Sequence, residues 1–149
     1  MESIEKILSQ AHTRAEQTGL PYAGAVTPAE AYALISQDAD AVLVDVRSRA
    51  ELELVGRVPV ATHVEWALYP GMVANTEFAA QLLAQVDKSR TVVFMCRTGG
   101  RSHNAALLAQ QLGYSKAYNM VEGFEGEANE LKQRTLINGW KHAGLPWTN

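Results

Sequence analysis

Two runs of residues most constrain what this chain can fold into: AVLVDV at 41–46 and TVVFM at 91–95. Each is short, Val-rich and almost wholly apolar, with no polar residue at alternate positions. Five or six residues are too few for a buried helix, and an unbroken apolar strand needs cover on both faces. Covered strands of this kind belong to parallel sheets, whose connections are helices. The intervening sequence supplies those helices. Residues 3–17 place Ile4, Ile7, Leu8, Ala11 and Ala15 at helical spacing behind Ser3 as N-cap. VTPAEAYALIS has Thr27 as cap, Pro28 at the first helical position and Glu30 closing the capping box. SRAELEL repeats the box with Ser48 and Glu51. NTEFAAQLLAQV opens at Asn75, and SHNAALLAQQLG ends on Gly113 as C-cap. VATHVEW (60–66) and KAYNM (116–120) read as further strands, GFEGEANELKQR as a loose helix, and TGLPYAGA as a Gly/Pro linker. Strands alternating with helices predict an α/β sandwich around a central, mostly parallel sheet.

The 149 residues suit one domain with an appendage, divided as an N-terminal helical extension over 1–20 and the domain proper over 21–149. A single cysteine allows neither an intramolecular disulfide nor a cysteine-based zinc site. The histidines, at 12, 63, 103 and 142, lack ligand spacing, and no nucleotide motif is present, so no metal or cofactor is expected. The N-terminus has no secretory apolar region and no run approaches the ~20 apolar residues of a membrane span. A cytoplasmic setting without membrane contact is the expectation. The formal net charge of −3 argues against nonspecific nucleic-acid binding. That charge is uneven: residues 1–87 carry 5 Lys/Arg against 12 Asp/Glu, whereas 88–121 hold Lys88, Arg90, Arg97, Arg101 and Lys116 with no acid. The positive stretch reads as a local anion site.

It contains the one cysteine. TVVFM runs directly into Cys96, at the carboxyl end of a strand, where open α/β sheets place their ligands. In CRTGGR the adjacent Gly99 and Gly100 permit positive φ, so that successive N–H groups curl into an anion-binding nest. The following helix adds the partial positive charge of its N-terminus. A thiol in that cradle ionises more readily, and thiolate is the nucleophile. Arg97 and Arg101 are placed to hold the oxygens of an anionic substrate. No general base is apparent: His103 lies inside the next helix as a surface or packing residue, and His63 reads as structural. Chemistry that needs only a stabilised thiolate is sulfur transfer, in which the thiolate attacks a sulfane sulfur, carries it as a persulfide and yields it to a thiophile.

VLVDVRSRAELELVGRVPVATHVEW, VVFMCRTGGRS, YNMVEGFEGE and GWKHAGLPW together resemble a single-domain rhodanese, a sulfurtransferase, over about residues 24–147. The resemblance implies a three-layer α/β fold with Cys96 as persulfide-forming nucleophile. It implies that Arg97, Thr98, Gly99, Gly100 and Arg101 bind the substrate through loop N–H groups, with Arg101 and Arg97 gripping the anion. Asp45, Arg47 and Glu51 match positions taken as mainly architectural. The donor would be a small sulfur-containing anion such as thiosulfate, or a polysulfide or persulfide, and the acceptor cyanide, a thiol or a protein. One departure is Val60, where the family commonly has glycine; it implies a different turn there and does not touch the nucleophile. The N-terminal helix lies outside the family core and is expected to serve in packing.

Three other readings remain open from sequence. Dual-specificity phosphatases and arsenate reductases of similar fold separate cysteine and arginine by five residues, whereas four lie between Cys96 and Arg101; the shorter loop suits a single sulfur. A persulfide carrier would use the same chemistry with a protein partner. A non-catalytic interaction module would not need Cys96 and both arginines.

Overall fold

The computed structural model describes all 149 residues. Its elements run α1 (Ile4–Thr18), β1 (Gly24–Val26), α2 (Pro28–Gln37), β2 (Ala41–Asp45), α3 (Arg49–Val55), β3 (Thr62–His63), β4 (Ala67–Leu68), β5 (Val73–Ala74), α4 (Phe78–Gln85), β6 (Thr91–Met95), α5 (Gly100–Leu112) and β7 (Ala117–Met120). Five strands form one sheet in the order β1-β7-β6-β2-β3, every neighbouring pair parallel. β4 and β5 pair antiparallel as a separate small hairpin.

The missing alternation in β2 and β6 has a direct cause. Val42, Val44, Val92, Phe94 and Cys96 point into one core, with Phe78 and Leu82 of α4 and Ala105, Ala106 and Ala109 of α5. Leu43, Val93 and Met95 point into the other, with Ile7 and Ala11 of α1, Ala31 and Leu34 of α2, and Phe124 and Trp140. Successive side chains face opposite ways, so a strand covered on both sides must be apolar at every position. The same period puts Cys96 on the α4/α5 face.

The capping signals form as read. Thr27–Glu30 and Ser48–Glu51 are complete capping boxes, Ser3 caps α1, and Gly113 ends α5 in left-handed conformation; Gly19, read as linker, does the same for α1. α1 lies directly on β1: a Cβ at Gly24 would come within 2.6 Å of the Ala11 carbonyl oxygen. Arg14 ties α1 down with a bidentate pair to Glu30 (2.6 and 3.0 Å) and a bond to the Ala25 carbonyl.

Four local expectations are corrected. The stretch 18–25 is not only linker, because residues 24–26 form β1 against β7. Only Thr62–His63 of the 60–66 run pairs as strand, since β3 is the sheet's edge and has just two partners on β2. α4 begins at Phe78, because the Asn75 side chain accepts from the Glu77 N–H in a turn that precedes the helix. Residues 123–134 are not helical: Gly123 and Gly126 take φ of +75°, and the segment folds back through bonds such as Thr135 N–H to the Glu125 carbonyl.

Candidate active site

Cys96 is the first residue past β6, the central strand. Its loop is fixed from below by backbone: Phe124 N–H donates to the Cys96 carbonyl (2.8 Å) and Glu125 N–H to the Arg97 carbonyl (3.1 Å). Gly123 makes that approach possible, because a Cβ there would collide with the Arg97 carbonyl. At the far end Asn119 Nδ2 donates to the Gly99 carbonyl at 3.3 Å. Of the two glycines only Gly99 needs its freedom, with φ of +109°; Gly100 is already the first residue of α5.

The thiol is 1% exposed. Gly99 N–H donates to Sγ at 3.1 Å and the Ser102 hydroxyl, fully buried, lies 3.3 Å from it. A thiolate can only accept, so both groups then donate to it. α2 and α3 have side-chain caps for their first-turn N–H groups, but α5, with Gly99 at its N-cap position, has none. The first N–H groups of a helix have no internal acceptor. The uncapped end therefore leaves donors and the positive end of the helix dipole beside the thiol.

The arginines are not turned toward the sulfur. Arg101 makes a bidentate pair with Glu51 at 2.7 and 2.9 Å. Burial alone would raise the Glu51 carboxyl, but the hydrogen bonds and charge of Arg101, with those of Ser48, hold it down at about 2. For Arg101, burial opposes the charge, and Glu51, Cys96 and Asp45 more than compensate. Arg97 reaches Glu125, Nε to carboxylate at 3.4 Å. Below them Asp45 and Arg47, both essentially unexposed, pair through Nε and Nη2 at 2.7 to 3.2 Å. Arg47 also donates to the Gly56 carbonyl and lies 4.2 Å over the Phe124 ring. Three guanidiniums thus meet three carboxylates around the loop, and the positive charge of the 88–121 stretch is cancelled there by Glu51 and Glu125 from outside it.

The histidines are structural in placement. His63 Nε2 bonds the Arg47 carbonyl at 2.7 Å and His103 Nδ1 the Tyr22 hydroxyl at 2.6 Å. Beside the loop lies a cleft of about 350 Å³ lined by Arg97, Arg101, Glu51 and Glu125, by Ser48 and by apolar residues of α3 and the β4–β5 turn; Cys96 itself is buried next to Arg97 and is not part of its lining. The structure places Cys96, Arg97 and Arg101 at one loop, with each arginine paired to a carboxylate; sequence reasoning missed Glu125, Gly123 and the cleft wall at Tyr69 and Met72. Only the unusual density of glycine around Phe124 hinted at the 123–126 support.

A family model, the Rhodanese-like domain, matches residues 27–130. The crystal structure of Rv0390 from M. tuberculosis superimposes with a TM-score of 0.78 and 39% identity, covering 85% of this chain and 97% of that one. An uncharacterised protein of Rickettsia conorii is 34% identical over 120 residues, 79% of this chain and 91% of its own. A protein of Allochromatium vinosum named sulfurtransferase is 30% identical over 107 residues, covering 72% of this chain and 78% of its own.

Proposed function

The chain belongs to the rhodanese-like domain family, and from that premise we propose that it is a sulfurtransferase working through a persulfide on Cys96. The observation that carries the reading is the donor set at Sγ: the Gly99 N–H at 3.1 Å and the Ser102 hydroxyl at 3.3 Å both reach the sulfur, and α5 begins beside it without a side-chain cap. In the first step the thiolate attacks the outer sulfur of a sulfane donor such as thiosulfate. The Sγ–S bond forms, the donor's S–S bond breaks, and its electron pair leaves with sulfite. In the second step a thiophile, cyanide or a thiol, attacks the outer sulfur of the persulfide, and the thiolate is restored as leaving group. The Gly99 N–H and the Ser102 hydroxyl can donate to Sγ both as nucleophile and as leaving group, and neither step needs a protein base. Thr98 and the glycines supply the turn; Arg97 and Arg101, held by Glu125 and Glu51, line the approach. Phosphoryl transfer fits less well, because both Nη atoms of Arg101 are engaged by Glu51.

Intact mass tests the proposal. Incubation with thiosulfate should add one sulfur atom, cyanide should remove it, and Cys96→Ser should never gain it. Sulfur carried equally by Cys96→Ser would overturn the assignment.

A further inference from the structure

The charge balance and shape of the cleft speak to the donor itself. A dianion such as thiosulfate is best held by uncompensated cations, yet each arginine at the cleft faces a carboxylate: Arg101 with Glu51 and Arg97 with Glu125. Apart from Ser48, the remaining wall is built of Ala50, Leu54, Val55, Tyr69 and Met72. Leu54 projects from α3 at 80% exposure, and Tyr69 and Met72 from the β4–β5 turn at 66% and 44%. These three side chains line the same cleft as the arginines. Large apolar side chains left uncovered around a concave site mark a binding surface. The cleft volume of about 350 Å³ matches a small organic group rather than a lone oxyanion.

We infer that the sulfur donor is an organic one, in which the sulfane sulfur is attached to an apolar group that seats between Leu54 and Met72 while the sulfur enters the Cys96 loop. The inference rests on the persulfide reading and refines its substrate class. With an organic thiosulfonate the thiolate of Cys96 attacks the terminal sulfur. The Sγ–S bond forms, the S–S bond to the sulfonyl sulfur breaks, and the electron pair departs with the organic sulfinate. Two negative charges stand on each side of the step, and no oxidant or reductant is consumed. With an organic hydropersulfide the leaving group is the organic thiolate, and the proton stays on the transferred sulfur.

Benzenethiosulfonate, methanethiosulfonate and thiosulfate are the probes, compared by kcat/KM for transfer to cyanide. Each value is divided by the donor's own rate with free cysteine to remove intrinsic reactivity. Burying one face of a phenyl ring should favour benzenethiosulfonate over methanethiosulfonate by about tenfold. Both organic donors should exceed thiosulfate. In the Leu54→Ala, Met72→Ala double variant the phenyl preference should fall at least ~3-fold. Both side chains are exposed, so the fold, checked by circular dichroism, should persist. A phenyl preference below about twofold, a preference untouched by the double variant, or thiosulfate as the best donor would overturn the organic seat and leave the persulfide reading standing. Failure of all three donors to add sulfur to Cys96 by intact mass would remove both.

Discussion

Replacing Glu51 by Gln isolates the ion pair that joins α3 to the cysteine loop. Gln keeps the length of the side chain and can still accept from the Ser48 N–H, so the helix start survives while the charge facing Arg101 is lost. The Glu51 carboxyl sits at about 2 in the fold against an ordinary 4.5. At ~1.4 kcal/mol per unit, that depression corresponds to about 3 kcal/mol of stability at neutral pH. Because the folded value is the lower one, the contribution is complete above pH 4.5 and is lost as pH falls toward about 2. Glu51→Gln should therefore cost on the order of 2–3 kcal/mol at pH 7, or about 4–10 °C in Tm for a chain of this size. The gap between variant and parent should close steadily below pH 4.5. Urea unfolding of both proteins at pH 7, 5, 4 and 3 reads it, and subtracting the two curves removes every other titrating group. A difference independent of pH, or one below ~0.5 kcal/mol at pH 7, would refute the electrostatic account and leave the pair as a contact of the kind usual at surfaces.

Cys96→Ser should abolish sulfur transfer with a change in Tm of only a few degrees by calorimetry, because backbone bonds from Phe124 and Glu125, and not the thiol, hold the loop. Arg101→Ala leaves Glu51 facing the cleft alone, so KM should rise more for dianionic thiosulfate than for an uncharged donor; steady-state kinetics giving equal effects would count against this. Gly123→Ala must displace the loop, since its Cβ collides with the Arg97 carbonyl at a φ of +75°. It should lower kcat/KM at least tenfold and stability by about 2 kcal/mol, with near-parental values refuting the tight fit.

Much of this protein was legible in its sequence because the signals are local. The buried strands β2 and β6 announce themselves by having no polar face, the two capping boxes by residues three apart, and the cysteine loop by a thiol at a strand end followed by Gly-Gly and flanking arginines. The position of Cys96 needed nothing more, since a parallel strand leading into a helix puts its next residue at the ligand-binding edge. The tertiary structure decided what those residues face. Arg97 and Arg101 read as an anion clamp only while Glu125 and Glu51 are distant in sequence; folding brings the carboxylates within 2.7 to 3.4 Å and neutralises the clamp. The 123–126 segment reads as helix by composition but is taken by the loop it must support, and β1 exists only because β7 offers an edge to pair with. Charge, pairing and exposure are properties of neighbours, and most neighbours at this site are strangers along the chain.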